Sequence, residues 1–387
     1  MQIIINDLKK QFQNHFEGEP IVVRSPGRVN LIGEHTDYNE GFVLPAAIDK
    51  AIYIAISARN NEDINLYSSE FNEAHKSNLA GVEPTKKGWP NYILGVVDQL
   101  LKHGFSLKGF NAVLNGDVPI GAGLSSSAAV ECATVYALNE LFRLNIPKIE
   151  MAKLAQKAEH EFAKVRVGIM DMFASMFGKR NHVIKLDCRS LEYVYEPLRM
   201  DRIKIVLFNT NVKHSLASSE YNVRRQQCEE GVALVKKHHP DVNSLRDITL
   251  EMLRKYVEPK DQIIYRRCKY VVEENLRLLS ACEHLEQGNI EGLGRKMFES
   301  HEGLSNEYDV SCKELDFLVE YVRSDPAVLG ARMMGGGFGG CTINLVREDG
   351  IDELVGSTRN AYEENMNLPL TAYIAQIEDG TSIITKT

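Results

Sequence analysis

The stretch Pro119-Ile120-Gly121-Ala122-Gly123-Leu124-Ser125-Ser126-Ser127-Ala128-Ala129 limits what this chain can fold into more than any other. A run of strand formers, Asn111-Ala112-Val113-Leu114, leads into it, and a run of helix formers leaves it. The pattern predicts a strand–loop–helix unit with its helix over about 125–144. Glycine takes backbone conformations that a Cβ forbids and lets a ligand come close to the main chain. The serines can cap the new helix and keep their hydroxyls on the loop. The N–H groups at the helix start and the positive end of its dipole then converge on one point, which suits a phosphate. No Gly-Lys-Ser/Thr follows the spaced glycine, so the loop is not a Walker A sequence. Taken alone, the segment fits a plain Gly/Ser turn before a core helix equally well.

A length of 387 residues suggests two or three domains, and 44% hydrophobic with 25% charged residues is ample for a core without staples. The net charge of −8 disfavours a nucleic-acid partner, since no basic face with interleaved aromatics is present. Lys236-Lys237 with His238-His239 reads as a solvated helix end. Seven cysteines, at 132, 188, 228, 268, 282, 312 and 341, contain no C-x-x-C pair. A zinc ribbon is therefore not expected, and reduced thiols in the cytoplasm are. The apolar stretch in Met1-Gln2-Ile3-Ile4-Ile5-Asn6-Asp7 is too short for a signal peptide, and no run is long enough to span a bilayer, so no membrane partner is expected.

Along the chain, 1–18 reads as an amphipathic helix, and strands are expected at Ile21-Val22-Val23 and at 51–56. A second helix spans roughly 148–163, followed by strands at 183–186, 191–195 and 203–208. Residues 220–325 turn to long helical periods, and strands return at 341–346 and 372–375. This order predicts an α+β protein of two lobes, 1–198 and 199–387.

Three further segments carry chemistry. Gly27-Arg28-Val29-Asn30-Leu31-Ile32-Gly33-Glu34-His35-Thr36-Asp37-Tyr38 places a cation, two carboxylates, an imidazole and an amide together. Neutral polyols are bound by such mixtures, each hydroxyl both donating and accepting. A metal on Glu34, His35 and Asp37 matches no zinc spacing. Asp171, in Gly168-Ile169-Met170-Asp171, is an acid among apolar side chains, which must be paired or raised in pKa. By itself it also reads as the N-cap of a helix over 172–178. Met334-Gly335-Gly336-Gly337-Phe338-Gly339-Gly340-Cys341 precedes a strand, and its glycines fit either a tight hairpin or a close approach to the phosphate loop.

The 27–38 segment, the glycine–serine loop and the 334–341 segment resemble the three signature motifs of the GHMP small-molecule kinases, and residues 27–38 look like the galactokinase signature within that superfamily. The resemblance extends through Asp187-Cys188-Arg189-Ser190-Leu191 and Ser219-Glu220-Tyr221-Asn222-Val223-Arg224-Arg225. It implies an N-terminal lobe like ribosomal protein S5 domain 2, a ferredoxin-like C-terminal lobe and an active site between them. It also implies transfer of the γ-phosphoryl of MgATP to the anomeric hydroxyl of galactose. Asp171 matches the catalytic carboxylate and Arg28 its partner cation. Glu34, His35, Asp37, Gly168 and Tyr221 match sugar-holding positions. Gly121, Ala122, Gly123, Leu124, Ser125, Ser126 and Ser127 match the nucleotide loop, and Trp89 an adenine-lining residue. Ser127 and Glu159 match Mg²⁺-linked positions. The expected partners are galactose and ATP, with the chain a monomer. The resemblance leaves two alternatives, a non-enzymatic galactose sensor and an N-acetylgalactosamine kinase. The chain departs from the common Cys-Gly-Ile-Met-Asp-Gln at Val167 and Met172, beside the expected hexose.

Overall fold

Among the described residues the strands pair into three sheets, and the central strands are buried on both faces. The computed structural model describes residues 2–198, 201–212 and 217–384, without the side chains of Gln2 and 217–219. Met1 of the expected first helix, two residues beside the expected boundary at 198, and the Ser219 side chain lie outside the described residues.

The first half runs α1 (Gln2–His15), β1 (Ile21–Asn30), β2 (Phe42–Val43), β3 (Pro45–Ala58), β4 (Asp63–Ser68), β5 (Glu73–Asn78), α2 (Pro90–Lys102) and β6 (Phe110–Gly116). Next come α3 (Ser126–Phe142), α4 (Lys148–Ala158), α5 (Met170–Phe177), β7 (His182–Asp187) and β8 (Tyr193–Pro197). The second half runs β9 (Ile203–Asn209), α6 (Ala217–Lys236), α7 (Leu250–Tyr256), α8 (Gln262–Glu286), α9 (Ile290–Gly303) and α10 (Lys313–Arg323). It ends with β10 (Val328–Met333), β11 (Cys341–Arg347), α11 (Ile351–Met366), β12 (Thr371–Ala375) and β13 (Ser382–Ile383).

Among the described residues, one sheet has the order β13-β1-β3-β6-β4-β5 and another β10-β11-β9-β12, with a small sheet β2-β7-β8 between. Among the described strands only the β4–β6 pair is parallel. In the first sheet Val23, Ile54 and Ile56 face a core built with α2, α3, α4 and α5. Their neighbours Val22, Tyr53 and Ala55 face Leu8 and Phe12 of α1. Burial on both faces explains why 51–56 reads as a continuous apolar run rather than an alternating one. Strand β9 behaves alike: Ile205 and Leu207 point to the core shared between lobes, Val206 and Phe208 to the core under α10 and α11. The mixed α+β architecture is the one expected.

Several elements differ from expectation. The helix expected over 148–163 is α-helical only to Ala158 and closes in a π-turn, Glu159–Ala163. The strand expected at 191–195 begins at Tyr193, because Leu191 turns the chain with φ 63°. Strands β2, β4, β5, β10 and β13 and helices α2 and α11 have no counterpart in the sequence reading. Strand β5, Glu73-Ala74-His75-Lys76-Ser77-Asn78, is a polar edge strand with no apolar period to reveal it. No helix among the described residues is long and apolar enough to cross a membrane.

Candidate active site

The site begins at an irregularity in β1. Its register against β3 shifts between Pro26 and Arg28. A Cβ on Gly27 would stand 2.7 Å from the Leu124 carbonyl, and the Arg28 N–H donates to that carbonyl at 3.2 Å. The bulge thus lets the 119–125 loop dock on the strand and turns Arg28 toward α5.

The Arg28 guanidinium grips both oxygens of Asp171, Nε to Oδ1 at 2.8 Å and Nη2 to Oδ2 at 3.0 Å. Its Nη1 donates to the Gly123 carbonyl at 2.6 Å. Burial works against the Arg28 charge, yet Asp171 and Glu34 outweigh it and hold the guanidinium above its ordinary value. The Ser125 hydroxyl donates to Asp171 Oδ2 as well. Two expectations are corrected here. Asp171 is not an N-cap: it lies within the first turn of α5, Ile169 holds the cap position, and the carboxylate turns to the cation instead. Ser125 does not cap α3 with its side chain: its backbone is left-handed, φ 57°, and its hydroxyl serves Asp171.

Opposite lies the 27–38 segment, whose first residues belong to β1 rather than to a loop. Glu34 accepts from Arg332 Nη2 at 2.5 Å, Asn30 Nδ2 at 2.9 Å and the Gly335 N–H at 3.0 Å. His35 is left-handed, φ 61°, and its Nδ1 meets the Tyr38 hydroxyl at 2.7 Å while Nε2 has no hydrogen-bond partner among the described residues. Burial, then Arg224, lower its pKa to about 3, so the ring is neutral at physiological pH, although the Gly336 carbonyl opposes the shift. Asp37 is raised to about 7 by burial and by Asp171. A Cβ on Gly168 would lie 1.8 Å from the Asp37 carboxylate, so only glycine fits there. The Tyr221 ring stands 5.2 Å from His35 and from Tyr38, and its hydroxyl pKa is raised by burial.

In the glycine–serine loop, Gly121 and Gly123 take φ 75° and 74°. Gly335 and Gly340 come up to them: added Cβ atoms would sit 3.4 Å from the Gly123 and Ala122 carbonyls. The last glycine-rich segment therefore backs the loop, the second of its two expected readings. Ser127 Oγ donates to Glu159 at 3.1 Å. Burial and Asp171 raise Glu159 to about 7. Glu131, one turn further along α3, is fully buried beside it, and burial with Glu159 pushes its carboxyl well above the ordinary range.

A cavity of about 340 Å³ is lined by every expected site residue except Ala122 and Trp89. Ala122 packs into the core with Val118 and Leu124. Trp89 lines a second, more apolar cavity of about 290 Å³, which shares Tyr92, Ser126 and Ser127 with the first. There Trp89 Nε1 donates to Glu73 at 2.8 Å, and Phe71 lies nearly parallel to the indole at 6.5 Å. Of the two departures, Val167 lines the main cavity, whereas Met172 is fully buried in the core of the first lobe.

Among the described residues no three His, Cys, Asp or Glu side chains cluster to hold a metal. Ser127 and Glu159 offer a hydroxyl and a carboxylate side by side, which fits a Mg²⁺ that takes its other ligands from phosphate and water. Arg332, Glu131, Tyr308 and Phe71 escaped the sequence reading. Only Glu131 left a signal, a carboxylate in the apolar first half of α3, four residues after Ser127.

Comparison with known proteins agrees along the chain. Residues 10–58 match the galactokinase galactose-binding signature, 91–179 the GHMP kinases N terminal domain and 278–364 the GHMP kinases C terminal region. The galactokinase of Thermotoga neapolitana is 41% identical over 362 residues, covering 94% of this chain and 99% of that one. The galactokinase of Clostridium acetobutylicum is 41% identical over 392 residues, covering 98% and 99%. The crystal structure of Lactococcus lactis galactokinase complexed with galactose superposes with a TM-score of 0.95 at 35% identity, over 98% of this chain and 100% of that one. Methanococcus jannaschii mevalonate kinase, with a TM-score of 0.65 at 20% identity over 94% and 100%, shares the fold.

Proposed function

The chain belongs to the galactokinase family of the GHMP kinases and is an ATP-dependent sugar kinase, and from that premise we propose how it works. It moves the γ-phosphoryl group of MgATP to the anomeric hydroxyl of α-D-galactose, giving galactose 1-phosphate and ADP. The observation that carries this reading is the Arg28–Asp171 pair, set in one cavity between the polar cluster of 34–37 and the glycine–serine loop.

Asp171 takes the proton of the anomeric hydroxyl as its oxygen attacks phosphorus. Arg28 keeps the carboxylate oriented and neutralises charge as the phosphoryl group moves. Glu34, His35, Asp37, Gly168 and Tyr221 hold the hexose. Backbone N–H groups of 121–127 receive the phosphates, and Trp89 with Phe71 takes the adenine face between flat rings. Ser127 and Glu159 would hold a Mg²⁺ bound with the nucleotide, and it would neutralise charge on the phosphate oxygens. Every one of these residues comes from a single chain, so a monomer suffices for the reaction. The seven free cysteines suit a reducing compartment such as the cytoplasm.

The test is a sugar panel with MgATP: galactose, galactosamine, N-acetylgalactosamine and arabinose, scored for ADP release and for phosphate at the anomeric carbon. Galactose should be turned over best. ADP release without an anomeric phosphate, or no turnover of galactose at all, would overturn the reading.

A further inference from the structure

We propose that Tyr38, Tyr308 and Cys228 form a hydrogen-bond relay that fixes which nitrogen of His35 carries its proton, and thereby makes the ring an acceptor toward a sugar hydroxyl. The proposal rests on the reading of the main cavity as the sugar site. All three members are positioning residues, acting through His35.

The relay is continuous. His35 Nδ1 meets the Tyr38 hydroxyl at 2.7 Å, that hydroxyl meets the Tyr308 hydroxyl at 2.8 Å, and Tyr308 meets Cys228 Sγ at 3.3 Å. Tyr308 and Cys228 are fully buried, so water does not complete their bonding. A hydroxyl has one proton to give. Once the direction of one bond is set, every bond in such a chain points the same way.

The far end sets the direction. The Cys268 thiol and the Asn39 amide also approach the Cys228 sulfur. A hydroxyl is a stronger donor than a thiol, and the Cys228 proton has the Cys268 sulfur as its own partner, which leaves the Cys228 sulfur to accept from Tyr308. Tyr308 then donates to Cys228, Tyr38 to Tyr308, and His35 Nδ1–H to Tyr38. The ring is neutral at physiological pH, so Nε2 is left with a bare lone pair. That atom has no partner among the described residues, and His35 lines the cavity. The Gly336 carbonyl would favour a proton on Nε2, but it is not within hydrogen-bond geometry of that nitrogen, whereas the relay bonds are short.

The tautomer can be read directly. In ¹⁵N-labelled protein, the His35 ring resonances are assigned by their loss in His35→Gln, with no substrate present. The wild-type ring should carry its proton on Nδ1. Tyr308→Phe removes the acceptor for the Tyr38 proton; Tyr38 then donates to Nδ1, and the ring proton moves to Nε2. Galactose KM should rise about tenfold, the cost of one mismatched hydrogen bond, with kcat and ATP KM within about twofold of wild type. Cys228→Ala should shift galactose KM the same way, and Cys228→Ser, which restores an acceptor, should bring it back toward wild type; this pair decides the matter if Tyr308→Phe does not fold. A wild-type ring protonated at Nε2 overturns the proposal. So does a Tyr308→Phe or Cys228→Ala protein with an unchanged tautomer and unchanged galactose KM. A wild-type protein that leaves galactose untouched overturns the functional reading instead, and the resonance assignment still decides the relay.

Discussion

Glu34 and Arg332 lie 298 residues apart in the chain and form an ion pair that solvent barely reaches, the arginine side chain 0% and the glutamate 2% exposed. The remaining donors of Arg332 go to the carbonyls of Leu31, Asn30 and Met333. The side chain therefore ties the cavity-lining 34–37 segment of the first lobe to β10 of the second. Removing one partner strands a charge in a dry interior. Arg332→Met should lower stability by about 3–5 kcal/mol in urea unfolding, and Arg332→Met with Glu34→Gln should lose less than Arg332→Met alone. Equal losses in the two proteins would refute the coupling.

Asp171→Asn keeps the volume of the side chain and removes the proton acceptor. Turnover should fall by about 10²–10⁴-fold, while calorimetry with galactose still shows binding. Full activity in a coupled ADP assay would mean that another group takes the proton.

The Asp37 carboxyl titrates at about 7, above its ordinary 3.8, because burial and Asp171 disfavour its charge. Between those two values the folded protein holds a proton that the unfolded chain has released, so this group lowers stability as pH rises through that window. Asp37→Asn should raise the melting temperature at pH 8 and hardly change it at pH 4. Galactose KM in the wild type should climb as pH falls below about 7, since the protonated carboxyl loses an acceptor lone pair. A wild-type profile as flat as that of Asp37→Asn would rule this out.

Gly168 and Gly121 separate two reasons for glycine. A methyl at Gly168 collides with the Asp37 carboxylate, whereas Gly121 has open space but φ 75°. Gly168→Ala should raise galactose KM by about tenfold or more and leave ATP KM unchanged. Gly121→Ala should act on ATP KM and stability instead. The two variants need only steady-state kinetics with each substrate varied in turn.

How much of this was legible in the sequence depended on distance along the chain. The glycine–serine loop and the 27–38 cluster announce themselves because a local backbone need selects the residue type, as with Gly123 or the bulge at Gly27. The strands at 51–56 and 203–208 were readable from β-branched runs, and the helices of 220–325 from their period. Arg332 was not, since it sits in a strand whose pattern gives no hint of a carboxylate three hundred residues earlier. Asp171 and Ser125 read as caps because local rules see only neighbours, and their true partners were each other and Arg28. Tyr38 and Tyr308 meet only once α9 and its π-turn at Leu304–Tyr308 have packed.

Strand β13 lies against β1, with Val23 opposite Ile383, and Arg24 reaches the Asp379 carbonyl across 355 residues. During synthesis the first strand of the sheet leaves the ribosome long before the segment that completes its edge. The early half of the chain must therefore wait, with one side of that sheet unpaired, until the late half has been made. Separately expressed halves would each lack a seam of the same sheet, and a nascent chain stalled before residue 377 would expose the edge that chaperones and neighbouring chains can reach.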